Sequence, residues 1–307
     1  MIKLVLSRQL KAVCGLGKRA LDWSDPEGVH DMRVLTRRMR SAISDFQPHL
    51  RKPAISIATL RGIARSLGAV RDEDVALAAL ENLKTQAPAE ALEGIESVLE
   101  ERRQRQAKAR DGLMKMISPA ALKEFRVQFQ TQIAVLALTK PKTARGQPSP
   151  ETSLAFRELG TKAINGRLKD FRSAVSTIYF PFEIEKIHAL RILAKRLRYA
   201  LDLFRFCWGE DLNDVAKEIA ELQTSLGELH DCDVWIDYLG RRLKSTARKA
   251  KNNPDSAKVQ AGYTWLLQEF NKQRTHHYRD ALRRWQHWES SAFLDELKSR
   301  IADQPAS

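Results

Sequence analysis

The chain has 307 residues, 43% hydrophobic and 29% charged, which supplies enough apolar material for a packed core and excludes wholesale disorder. Gly (14) and Pro (11) are scarce for that length, which argues against a turn-rich all-β protein. Lys and Arg number 52 against 38 Asp and Glu, a formal net charge of +14, so a polyanionic partner is expected: nucleic acid, an acidic membrane surface or a polyphosphate.

In chain order, Met1 to Leu10 carries Lys3 and Arg8 around a brief apolar patch and does not make a signal peptide. A first helix follows with Lys11, Gly15 and Lys18; the lysines are two turns apart on one face. Ser24-Asp25-Pro26-Glu27 offers a cap, a proline in the first turn and a glutamate three residues after the serine, so a second helix is expected through His30 to Phe46. Pro53, Pro88, Pro119, Pro181 and Pro254 each mark a break between periodic stretches. Asp72 and Asp231 each follow a Leu-Gly pair by a few residues and read as the openings of new helices. The apolar run Ile133 to Leu138 is too short for a membrane span. Residues 140–152, rich in Pro, Lys and Thr, read as a linker between halves at 1–139 and 153–303. Cys14, Cys207 and Cys232 form no CxxC pair, so neither a disulfide framework nor a zinc site is expected. About ten to twelve helices and no convincing strand follow, in a chain expected in the cytoplasm.

The halves repeat one another. His30-Asp-Met-Arg33-Val-Leu-Thr-Arg37-Arg38-Met-Arg40 recurs as His188-Ala-Leu-Arg191-Ile-Leu-Ala-Lys195-Arg196-Leu-Arg198, and the match runs on to Phe46 and Phe204. Ser66-Leu-Gly-Ala-Val-Arg71-Asp72-Glu-Asp74 recurs as Ser225-Leu-Gly-Glu-Leu-His230-Asp231-Cys-Asp233. Lys11, Gly15 and Lys18 are echoed by Lys162, Gly166 and Lys169. The order is kept and the offsets slip only between helices, the mark of a tandem duplication. Two similar helical bundles related by an approximate two-fold axis are expected.

With His30 set to zero on a helical wheel, Arg37 falls near −20°, Arg33 near −60° and Arg40 near −80°, roughly opposite Leu35, Met39, Ala42, Ile43 and Phe46. The second copy divides in the same way, with His188, Arg191, Lys195 and Arg198 on one stripe. Arg38 and Arg196 sit at the border of the apolar face. A solvated face mixes signs to limit repulsion between neighbours three and four apart; this stripe holds four cationic or protonatable residues in each copy. Arginines fork onto phosphate oxygens and the lysines act as point charges. Gly15 and Gly166 permit close backbone approach, to a neighbouring helix in the favoured reading or to a ligand in the other.

These residues resemble the CHAD domain, the conserved histidine α-helical domain: HxxRxxxRRxR from His30 to Arg40, its second version from His188 to Phe204, and the paired Leu-Gly-x-x-[Arg/His]-Asp-x-Asp segments. The resemblance covers about residues 1 to 300. It implies an all-α fold of two antiparallel four-helix bundles around a basic groove or pore, and binding of inorganic polyphosphate, often at polyphosphate granules. Lys11, Lys18, Lys162 and Lys169 would stand beside the groove, and His30, Arg33, Arg37, Arg38, Arg40, His188, Arg191, Lys195, Arg196 and Arg198 would line it. The triphosphatase domain of some family members, marked by ExExK, is expected to be missing: in Glu183-Ile-Glu185-Lys186 the lysine comes one position early.

No cofactor or metal is expected, and no catalysis. Gly15-Leu-Gly17-Lys18-Arg19 lacks the full Walker spacing. Asp72-x-Asp74 and Asp231-x-Asp233 read as caps or salt-bridge partners ahead of metal ligands, His276-His277 as a surface pair without a further ligand, and Trp285 and Trp288 as core anchors. The alternatives are a nucleic-acid binder, without a recognised reading helix or aromatics interleaved with the stripe, and a metal-dependent polyphosphate-processing enzyme or its accessory, which would need those aspartates for metal.

Overall fold

The structure, a computed structural model, describes residues 2–25, 27–47, 50, 55–136, 151–209, 212–249 and 255–302. They form ten α-helices, with no strand among the described residues. The helices are α1 (Ile2–Gly15), α2 (Gly28–Phe46), α3 (Ala58–Lys84), α4 (Leu92–Met116), α5 (Pro119–Ala134), α6 (Glu151–Ala174), α7 (Ile184–Phe204), α8 (Asn213–Lys249), α9 (Asp255–Ser290) and α10 (Phe293–Ala302). The all-α expectation holds. No helix among the described residues is long and apolar enough to cross a membrane. Cys14, Cys207 and Cys232 are free thiols, and burial pushes the Cys232 thiol up to about 12.

Two compact units divide the chain. The first is Met1–Gln86 with Glu96–Ser149, the second Ala87–Ile95 with Pro150–Ser307. Most of the sequence linker, through residue 150, lies outside the described residues. In the first unit α1 packs on α2 and α5, and α2 on α3. The core there is Leu6, Leu10, Met32, Met39, Ile43, Phe46, Leu60, Leu67, Phe125 and Phe129. In the second, α7 packs on α6 and α8, α8 on α9, and α10 closes on α6 and α9. Trp285 and Trp288 are both core residues, and the Trp288 indole N–H donates to Glu218 Oε2 at 3.2 Å. Trp235 stacks on Phe270 with ring centroids 4.9 Å apart.

Sequence placed residues 87–95 in the first half; packing places them in the second unit. The cause is a glycine crossing. A Cβ on Gly262 of α9 would stand 2.5 Å from the Ala91 carbonyl oxygen and 2.6 Å from Gly94 Cα, so only two glycines let these backbones touch.

The sequence repeat reaches the core. Val29, Met32, Thr36, Met39, Ala42, Ile43 and Phe46 are buried on α2, and the residues 158 positions on, Ile187, Leu190, Ala194, Leu197, Ala200, Leu201 and Phe204, are buried on α7. Leu60, Ile63, Leu67 and Val70 of α3 are matched at 159 by Ile219, Leu222, Leu226 and Leu229 of α8.

Several expected boundaries are corrected. Asp72 and Asp231 open no helix: α3 and α8 run straight through both Leu-Gly pairs. Burying Leu67 with Val70, and Leu226 with Leu229, outweighs a glycine penalty of about 1 kcal/mol. The Ser24 cap does not form either. Its hydroxyl donates to Asp22 Oδ1 at 2.6 Å, and Asp25 Oδ1 instead accepts the Glu27 N–H at 2.9 Å. Pro119 opens α5 behind the Ser118 cap, as expected; Pro26, Pro53 and Pro254 lie outside the described residues.

Candidate polyanion-binding residues

The buried stripe of α2 aims its cations outward. His30, Arg33 and Arg37 are half-buried, and Arg38 and Arg40 are exposed; on α7, His188, Arg191, Lys195 and Arg198 are half-buried and Arg196 is exposed. The inward stripe differs from the expected one at one place. Leu35 is only half-buried while Thr36 is fully buried, because the Thr36 hydroxyl satisfies itself on the Met32 carbonyl at 2.7 Å.

The Leu-Gly segments receive the arginines. A Cβ on Gly68 would lie 3.7 Å from Arg33 Nε, and one on Gly227 would lie 3.6 Å from Arg191 Nε. Each arginine therefore rests against a bare stretch of the neighbouring helix, α3 or α8. Arg33 also donates to Asp72 Oδ1 at 3.3 Å. The equivalent cations at the next turn differ. Arg198 Nη1 donates to Gln223 Oε1 at 2.8 Å. Partial burial, and then the charge of Arg61 on α3, hold Arg40 below the usual arginine range. Arg61 is missing from the sequence-based set; its signal was an exposed cation on the helix that follows, with no repeat partner, since Ala220 stands at the matching position.

Lys11 is exposed on α1, Lys18 in the turn beyond it, and Lys162 and Lys169 on α6. The packing role favoured for Gly15 and Gly166 is overturned: a Cβ on either would meet nothing within 4 Å. Both face open space. Lys18 borders a cleft of about 380 Å³ with Lys123 and Arg126, three residues apart on α5, over Cys14, Leu21, Ile117 and Leu122; no acidic residue lines it.

His188 meets a residue outside the expected set. Its Nδ1 lies 3.1 Å from Nδ1 of His230 on α8, with ring centroids 4.0 Å apart. Burial and the charges of Arg191 and Lys195 push His188 below the ordinary histidine range, against a smaller opposing pull from Glu185. Burial, then His188, Arg191 and Lys195, push His230 down to about 4. The Arg71-to-His230 difference between repeats was the visible signal.

Asp72, Asp74 and Asp233 are engaged by cations, and none of the four aspartates is a helix cap. Asp74 accepts from Gln106 Nε2 at 2.7 Å and lies 3.7 Å from Arg110. Asp233, buried, accepts from Arg274 Nε at 2.6 Å. His276-His277 does have a third potential ligand, contrary to expectation: Asp280 Oδ2 lies 3.2 Å from His276 Nε2, one helical turn on. Glu27, His30 and Asp31 also converge, though Asp31 is held by Arg19 Nη1 at 2.5 Å.

The profile of the CHAD domain matches residues 4–240. An uncharacterized protein of Mycobacterium tuberculosis (strain CDC 1551 / Oshkosh), MT2285, is 28% identical over 226 residues; the match takes in 73% of this chain and 42% of that protein, so this chain spans about two fifths of its relative. The crystal structure of the CHAD domain from the plant Ricinus communis superposes with a TM-score of 0.58 at 21% identity, over 99% of this chain and 91% of that one. PptA from Streptomyces chartreusis superposes at 0.61 with 16% identity, over 92% and 99%. With the doubled arginine helix, the profile match over most of its length and the shared fold, the chain belongs to the CHAD domain family.

Proposed function

We propose that this chain binds inorganic polyphosphate, without turning it over, through the cationic stripes of α2 and α7 with the lysines of α1 and α6 beside them. The observation that carries the proposal is the cationic stripe of α2, with Arg33, Arg37 and Arg40 turned away from the buried face, whose outward placement recurs on α7 with Arg191, Lys195 and Arg198. Like charges brought together cost free energy until an anion neutralises them, so the stripe is primed for a negative chain. Membership of the CHAD family, which is associated with polyphosphate, supports the same ligand. Polyphosphate suits a cationic lane better than nucleic acid does, because no aromatic side chain interleaves with either set of cations and bases would find nothing to stack on. The proposal extends to a cytoplasmic location at polyphosphate granules.

The test is affinity for long-chain polyphosphate at about physiological salt, beside equal charge equivalents of DNA, RNA and pyrophosphate, for the natural chain and for Arg33→Glu with Arg191→Glu. Tight binding to polyphosphate, lost in the double variant, is expected. Equal affinity for nucleic acid, or a double variant that binds unchanged, overturns the proposal.

A further inference from the structure

The second repeat holds a pair that the first does not. His188 and His230 meet Nδ1 to Nδ1 at 3.1 Å. At that separation one Nδ1 donates its proton and the other accepts with its lone pair, so the pair carries one proton between two facing nitrogens. Adding one proton puts N–H on both. They then repel each other, unless an anionic oxygen stands between them to accept from each. Both rings are half-exposed, so an oxygen can reach them.

The charges that bear on the pair come from α7: Arg191 and Lys195 oppose protonation, and Glu185 weakly favours it. From α8 the contributing group is His230 itself, and α6 and α9, the other helices packed on these two, supply none of the named charges. In the first repeat the matching positions are His30 and Arg71, so a permanent cation occupies the place of His230.

We propose that His188 and His230 form a proton-coupled phosphate subsite, in which a phosphate oxygen of polyphosphate and one proton enter together and both Nδ1–H groups donate to that oxygen. This rests on the polyphosphate reading above and adds a stoichiometry to it. The negative charge of the oxygen offsets the repulsion by which Arg191 and Lys195 otherwise oppose the added proton. The first repeat, with Arg71, binds phosphate without a proton. The second binds it with one. Affinity therefore rises as pH falls, by up to about tenfold per pH unit for a single linked proton, over the range in which the free pair is still neutral and the bound pair is charged.

The experiment is calorimetric titration of the full chain with long-chain polyphosphate at pH 8, 7 and 6, in phosphate-free buffers of different ionisation heat, so that proton uptake is read from the buffer dependence. Uptake approaching one proton per chain is expected. His230→Arg, which copies the first repeat, should abolish the uptake and tighten binding at pH 8 several-fold. His230→Gln should abolish the uptake with no such gain, and circular dichroism confirms that both variants fold. Polyphosphate bound with no proton exchange, or uptake that survives in His230→Gln, overturns the subsite and leaves the function standing. No polyphosphate binding at any pH overturns both.

Discussion

Arg274 and Asp233 show how much depends on a single buried contact. Their side chains are 13% and 6% exposed, and Arg274 also donates to the Pro181 carbonyl oxygen at 2.6 Å, tying α9 to α8 and to the turn before α7. Removing the carboxylate strands a guanidinium in a nearly dry site. Asp233→Ala is therefore expected to cost about 3–5 kcal/mol of unfolding free energy. Its repeat counterpart Asp74 pairs with Arg110 at 23% and 30% exposure, so Asp74→Ala is expected to cost about 1 kcal/mol or less. Urea denaturation of both variants measures the difference; equal losses would refute the role of burial. At this scale the sequence shows which residues are cationic and which face they share, because helical spacing is enough for that. It hides partnership. Thr36 lies inside because of a hydroxyl bond to its own helix, and His230 is a site candidate because of a ring on another helix; neither contact has a trace in spacing.

Glycine separates the helices that sequence describes well from the boundaries it does not. A glycine in an apolar period reads as an end, a close contact or an accident. Here Gly68 and Gly227 lie mid-helix beside an arginine, Gly94 and Gly262 form a backbone crossing, and Gly15 and Gly166 face nothing. The space beside each decides what a methyl group does there. Gly262→Ala forces Cβ to within 2.5 Å of a carbonyl oxygen and should lower stability by about 1–3 kcal/mol. Gly68→Ala meets Arg33 Nε at 3.7 Å, ordinary contact, and should leave stability unchanged or raise it by up to about 1 kcal/mol through helix propensity. Thermal unfolding of the two variants gives the signs. Both helices were legible as helices; where they stop was not, since burial on the next helix overrides the local penalty.

For the molecule as a whole, the surplus of 14 positive charges governs association. Affinity for polyphosphate should fall steeply with salt. By analogy with single-stranded nucleic acid, each neutralised phosphate adds about −0.7 to the slope of log K against log salt, so engagement of about six gives a slope near −4. A slope near zero would mean that charge neutralisation is not what binds. Fold class was legible at this scale, because helical spacing of buried and charged positions runs through the whole sequence, and the repeated motifs carry the same buried positions on α2 and α7. Membership of 87–95 in the second unit was not, since it depends on two glycines 168 positions apart.

That separation has a consequence for the order in which the protein is made. Residues 87–95 leave the ribosome long before α9 exists, by about 10–30 s at ~5–20 residues per second. Until then a segment fixed between two stretches of the first unit has no surface to settle on, and the second unit lacks a part that no later residue supplies. The halves repeat one another in sequence, yet the nascent chain completes its second unit only by reaching back to material synthesised within the first. A cut in the linker would yield two fragments that match the sequence repeat and neither compact unit in substance.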